Sequence, residues 1–211
     1  MCVAGARLLL HERVYDDFLS LFTSKLKKFS IGAGALPTTD MGPLISREHM
    51  NRVAAFVQRA IDAGAHCEFG KGDMELPETG YFFAPTILSH VSPDMEIWQE
   101  EVFGPVVIVA RFQDDDEALH LANKSDYGLS ASIWTHDTFR IQRFTRALHV
   151  GTVWVNTYGS FSNEVPFGGV KRSGFGKELG RDGLLANCRK KSITMDVSPD
   201  KTPLVARWYG V

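Results

Sequence analysis

Cysteine is scarce in this chain: three occur in 211 residues, at positions 2, 67 and 188, with no Cys-x-x-Cys pair and one left over from any single disulfide. That pattern excludes a disulfide framework and suits a reducing compartment, so the chain is expected to be cytoplasmic. An excess of one charge is lacking too. The 23 Lys and Arg nearly balance 25 Asp and Glu, for a net charge of -2, which gives no electrostatic reason to expect nucleic acid or a membrane surface as partner. The short basic runs at 25–28 and 189–191 read as solvated faces. No apolar run approaches the ~20 residues of a membrane-spanning helix, and Arg7 breaks the one opening stretch that could pass for a signal peptide. The seven histidines lack ligand spacing: His11-Glu12 has Tyr15 where a second histidine is needed, so no metal is expected.

What is present is ordinary globular material, 44% hydrophobic and 23% charged, enough for one sizeable core. Ala6 to Leu10 reads as a strand. Val14, Phe18, Leu21, Phe22, Leu26 and Phe29 recur at helical period. Ser46 is a candidate N-cap for a second helix, with Val53, Phe56, Val57 and Ile61 on one face before Gly64 stops it. The run VVIVARF at 106–112 is β-branched and almost continuously apolar, as a strand buried on both faces near a sheet's centre should be. Asp114, Asp115 and Asp116 suit a helix N-terminus better than a metal site. Further elements are expected as a strand over 130–135, a helix over 137–148 and a strand over 152–155. Alternating strands and helices predict an α/β fold built on a parallel sheet.

Beyond Asn156 the stretch YGSFSNEVPFGGVKRSGFGKELG concentrates six glycines. A phosphate loop fails in detail there, because Phe175 stands where its lysine must be. Gly32-Ala33-Gly34 follows a helix rather than a strand and lacks the third glycine of a dinucleotide fingerprint. Cys2 raises a separate question, since a frayed end suits neither a buried structural thiol nor a controlled nucleophile.

Several stretches together resemble the C-terminal part of the aldehyde dehydrogenase superfamily. They are CVAGAR at 2–7, MGPLIS at 41–46, EEVFGPV at 100–106, ANKSDYGLSASIWT at 122–135, GTVWVN at 151–156 and PFGGVKRSGFGKELG at 166–180, in the family's order. The resemblance implies a fragment that begins at the active-site cysteine and lacks the cofactor-binding domain. Residues 1–172 would form the catalytic domain, and 173–211 a C-terminal segment with a helix, an oligomerisation strand near 191–197 and an unassigned tail at 201–211.

By the same resemblance Cys2 is the nucleophile, with its backbone N–H in the oxyanion hole. Glu101 would bind the nicotinamide ribose hydroxyls and Phe103 the nicotinamide ring of NAD or NADP. Asn156, Phe161 and Phe167 would line the tunnel of a small-molecule aldehyde. Read alone, these residues have blander uses: a lone cysteine as a small buried hydrophobe, Glu100 and Glu101 as a solvated pair, and Phe167 as core filling. The implied activity is NAD(P)-dependent oxidation of an aldehyde to a carboxylic acid through a cysteine thioester, in a homo-oligomeric parent. The isolated chain is expected to be inactive. A non-catalytic oligomerisation or interaction module is the alternative, and a cofactor-free thiol esterase a third reading.

Overall fold

The computed structural model describes residues 1–195, Val197 and Gly210. Strand β1 (Arg7–His11) runs directly into helix α1 (Glu12–Leu26), whose cap is the His11 side chain accepting from Arg13 N at 3.2 Å. Helix α2 (Arg47–Asp62) begins as its sequence requires: Ser46 Oγ accepts from His49 N at 3.1 Å. It ends at Gly64, whose φ of +105° favours a residue without a side chain. Strand β2 (His66–Phe69) follows, then a long connection to strand β3 (Thr86–Ser89), a short helix α3 (Glu96–Gln99) and strand β4 (Val106–Phe112).

These four strands form one sheet in the order β1-β4-β3-β2. Strand β4 is interior and parallel to both neighbours, as its apolar run predicts. Adjacent residues explain the burial of both faces, because side chains alternate across a strand. Ile108 and Leu88 pack with Val53, Trp98 and Val106 under α2, whereas Val109 and Ile87 pack with Leu10, Tyr15, Leu26 and Phe69 under α1. The predicted parallel sheet therefore carries one addition: β2 lies antiparallel on the β3 edge, with an irregularity between Cys67 and Phe69. Its sequence HCEF lacks the β-branched signature that marks β4.

The second half begins with helix α4 (Asp115–Asn123), capped by Asp114 accepting from Glu117 N at 2.9 Å. Strand β5 (Tyr127–Gly128) precedes strand β6 (Ser130–Ile133), helix α5 (Thr138–Ala147) and strand β7 (Thr152–Val155). Strands β6 and β7 pair in parallel across α5, and strand β8 (Val170–Lys171) pairs antiparallel with β5. Helix α6 (Gly180–Ala186) follows. Trp98 joins the halves: it is fully buried, and its indole N–H donates to the Lys124 carbonyl at 2.8 Å.

The glycine-rich stretch serves close backbone approach. A Cβ on Gly168 would lie 2.6 Å from the Gly176 carbonyl oxygen, and Lys177 Nζ donates to the carbonyls of Gly168 and Gly169 at 2.7 and 3.1 Å. Residues 191–195 belong to no strand of the chain, Asp196 lies outside the described residues, and of the tail at 201–211 the described residues include Gly210 alone. Among the described residues no helix is long and apolar enough to cross a membrane.

Candidate functional site

The parallel pairing of β1 and β4 brings two distant segments to one end of the sheet. Arg7 pairs with Ile108, and Cys2 and Phe103 each lie five residues before that pair, so both segments enter at the amino ends of neighbouring strands. Cys2 is exposed within a turn closed by Ala4 N donating to Met1 O at 3.0 Å. The turn is anchored by Val3, which is 4% exposed. Arg7 donates to the Trp98 carbonyl at 3.0 Å, and burial pushes its guanidinium below the ordinary arginine range.

The segment carrying Glu101 and Phe103 is strapped down from α2. His49 Nε2 is 2.9 Å from the Phe103 carbonyl oxygen, and Arg52 donates to the Val102 carbonyl at 3.1 Å. Gly104 permits this closeness, since a Cβ there would meet Val53 at 2.8 Å. Phe103 takes a positive φ of 54° and leaves its ring half exposed beside a shallow cleft of about 350 Å3 lined by Ile45, His49 and Arg52. Glu101 is exposed, and among the described residues nothing pairs with its carboxylate; neighbouring Glu100 instead meets Arg172 at 3.5 Å.

A file of aromatic rings approaches Cys2 from β7. Trp154, whose indole N–H donates to Ser160 O at 2.8 Å, meets Tyr158 and Phe161 edge-on at 5.4 and 5.5 Å between centroids, and Phe161 meets Phe167 at 5.0 Å. Tyr158 donates its phenolic hydrogen to the Val3 carbonyl, which ties this file to the Cys2 turn. Burial and then the nearby Cys2 charge push the phenol above its ordinary value, opposed by a Gly5 backbone contact. Phe167 is held by paired backbone bonds with Glu178, at 2.8 and 2.7 Å. Asn156 spends both ends of its amide on one backbone position: it accepts from Thr135 N at 2.9 Å and donates to Thr135 O at 2.8 Å.

Cys2, Phe161 and Phe167 are thus joined through Tyr158 and Trp154, while Glu101 and Phe103 share a sheet end with Cys2 without touching the aromatic file. Asn156 acts on the end of β6. Sequence reasoning missed Tyr158, His49 and Arg52 as organisers of the site. The aromatic two residues after Asn156 in GTVWVNTY was the one available signal.

The sequence pattern of the aldehyde dehydrogenase family matches residues 1–193. The chain belongs to that family. It is 40% identical over 201 residues to betaine aldehyde dehydrogenase of Bacillus subtilis, covering 94% of this chain and 41% of that protein. It is 42% identical over 205 residues to the NADP(+) succinate-semialdehyde dehydrogenase of Deinococcus radiodurans, covering 97% of this chain and 43% of that one. Among solved structures, betaine aldehyde dehydrogenase of Staphylococcus aureus in complex with NAD+ matches at 38% identity and a TM-score of 0.83, over 88% of this chain and 37% of that chain. The chain therefore spans about two fifths of the length of these aldehyde dehydrogenases, with their α/β fold.

For an aldehyde dehydrogenase, the chemistry of residues 101 and 103 suits the ribose and nicotinamide end of a dinucleotide. A carboxylate with both oxygens available can accept from two vicinal hydroxyls, and a half-exposed ring offers a flat apolar surface.

Proposed function

We propose that this chain supplies the nucleophile, the aldehyde pocket and the nicotinamide-ribose contacts of an NAD(P)-dependent aldehyde dehydrogenase, acting in a protein of its relatives' length. The observation that carries the reading is the meeting of the Cys2 turn with the aromatic file through Tyr158 and Val3. Residues 1–172 form the working domain and 173–211 a C-terminal segment for assembly in a homo-oligomer, where 191–197 pairs with a neighbouring chain.

Cys2, as thiolate, attacks the aldehyde carbon; the C–S bond forms while the carbonyl π pair moves to oxygen. The Cys2 backbone N–H donates to that oxygen, and a preorganised donor of this kind is worth roughly 3 kcal/mol of transition-state stabilisation. Phe161 and Phe167 present apolar faces that exclude water from the aldehyde's substituent. Asn156 holds the Thr135 backbone, keeping the ends of β6 and β7 in register behind the aromatic file. Glu101 and Phe103 would hold the ribose diol and the ring of the dinucleotide. When bound, NAD or NADP would supply the hydride acceptor for oxidation at the adduct carbon. Water then releases the acid from the sulfur and restores the thiol.

The test is protection of Cys2. An aldehyde added in excess to the chain should slow alkylation of Cys2 by iodoacetamide, read by peptide mass spectrometry, because the thiohemiacetal hides the sulfur. Cys188, exposed and far along the chain, should be unaffected. Equal protection of both thiols by every aldehyde tried would remove the reading. By itself the chain should reduce no NAD or NADP, since groups that position a cofactor and activate water do not substitute for one another.

An interaction module is the second reading, favoured by the large apolar side chains left in water. Phe175, Phe139, Trp134 and Leu184 are 102%, 84%, 69% and 68% exposed, and uncovered apolar area seeks partners.

A further inference from the structure

Tyr158 lies just past β7, yet its phenol reaches across to the opposite end of the chain and donates to the Val3 carbonyl. The donor stands on a rigid base. Its ring rests edge-on against Trp154, which is 6% exposed and whose own N–H is fixed on Ser160 O. The acceptor is equally constrained: the Val3 side chain is buried, and the same turn is closed between Ala4 N and Met1 O. Between these anchors sits Cys2, itself exposed. The turn's own closure is the single bond from Ala4 N to Met1 O, and the phenol is a tie that comes from outside it.

We propose that Tyr158 is a positioning residue for the Cys2 thiol, holding through the Val3 carbonyl the turn that carries the sulfur. This rests on the reading of Cys2 as the nucleophile, since a thiol that must meet a carbonyl at a fixed angle gains from an immobilised backbone. The hydroxyl, rather than the ring, makes the bond. The phenol carries its proton at neutral pH because tyrosine ordinarily ionises near pH 10, and burial raises that further against a Gly5 backbone contact that lowers it, with the Cys2 charge adding to the rise; among the described residues, Cys2 is the titratable group whose charge acts on it. Deprotonation at alkaline pH removes the donor and so releases the turn.

The test compares the 211-residue chain with Tyr158→Phe, which keeps the ring against Trp154 and deletes the hydroxyl. Cys2 alkylation by iodoacetamide is followed across pH by peptide mass spectrometry, with Cys188 as internal reference. Below the ionisation of the phenol, Cys2 should react about fivefold faster in Tyr158→Phe, the size of change that one lost net hydrogen bond produces. Above it the two proteins should converge, because the wild-type turn is then also released. Cys188 rates should agree between the two proteins, and the melting temperature should fall by no more than the ~2–4 °C that one lost hydrogen bond produces. Superimposed Cys2 curves at neutral pH would overturn the proposal, as would a gap that persists unchanged above the phenol's ionisation. Aldehyde protection of Cys2 bears on the nucleophile reading, so failure there is distinguishable from failure here.

Discussion

Gly151 and Gly168 cross so closely that a methyl group on Gly151 would sit 1.7 Å from the Gly168 carbonyl oxygen. The crossing binds the entry of β7, which carries Trp154, to the stretch that carries Phe167. The atoms such a methyl would meet, the Gly168 carbonyl and the Gly169 Cα, are all backbone, so none can swing aside. Gly151→Ala should therefore cost about 4 kcal/mol or more, in the range reserved for gross steric conflict. Chemical denaturation would show it as a large fall in the midpoint; a midpoint within error of wild type would mean the crossing is looser than described.

Thr152, next along the chain, has a buried hydroxyl with no hydrogen-bond partner among the described residues. Valine has nearly the same shape without that oxygen. Thr152→Val should raise stability by about 1 kcal/mol, because an unsatisfied buried group is removed and strand preference is kept. A lower melting temperature for this variant would show that the hydroxyl is satisfied.

Ser46 begins α2, the helix that straps the segment holding Glu101 and Phe103. Ser46→Ala should cost about 1 kcal/mol as an ordinary N-cap loss. The local consequence is more specific. Hydrogen exchange of amides near 47–50 should rise with little change in α1, whereas uniform acceleration across the chain would contradict a local capping role.

Tyr15 is 5% exposed, and burial first, then the Glu68 charge, push its phenol above the ordinary value despite contacts with Arg111 and Ser89. The folded state thus holds this proton more tightly than the unfolded chain. The associated stability is fully present below the ordinary tyrosine pKa of about 10 and is lost as pH rises from there through the folded value. Tyr15→Phe should flatten the alkaline fall of stability between those two points, measured by urea unfolding above pH 10. An unchanged slope would place the alkaline loss elsewhere.

Much of the fold was legible because single segments carry it. The Ser46 and Asp114 caps, the Gly64 stop and the apolar run of β4 each express a local preference that the structure meets at the same residues, whereas α1 ends at Leu26, short of Phe29, and buries Tyr15 and Leu26 while Val14, Phe18 and Leu21 of the expected apolar face stay exposed. Strand β2 was not legible, since HCEF gains its strand geometry from pairing with β3 rather than from its own side chains. For the site, motif order pointed to Cys2, Glu101, Phe103, Asn156, Phe161 and Phe167. The use of Asn156 on the Thr135 backbone required knowing that β6 and β7 lie side by side.

The amino-acid order alone thus determined where helices start and stop, which strand is buried on both faces, and which family the motifs resemble, because these depend on neighbours within a few turns of chain. Tertiary structure alone decided that residue 158 reaches residue 3, that α2 straps the turn before β4, and that residue 151 must pass the Gly168 carbonyl without a side chain. Those contacts join positions tens to more than a hundred residues apart, and no local periodicity encodes which carbonyl a distant hydroxyl will find.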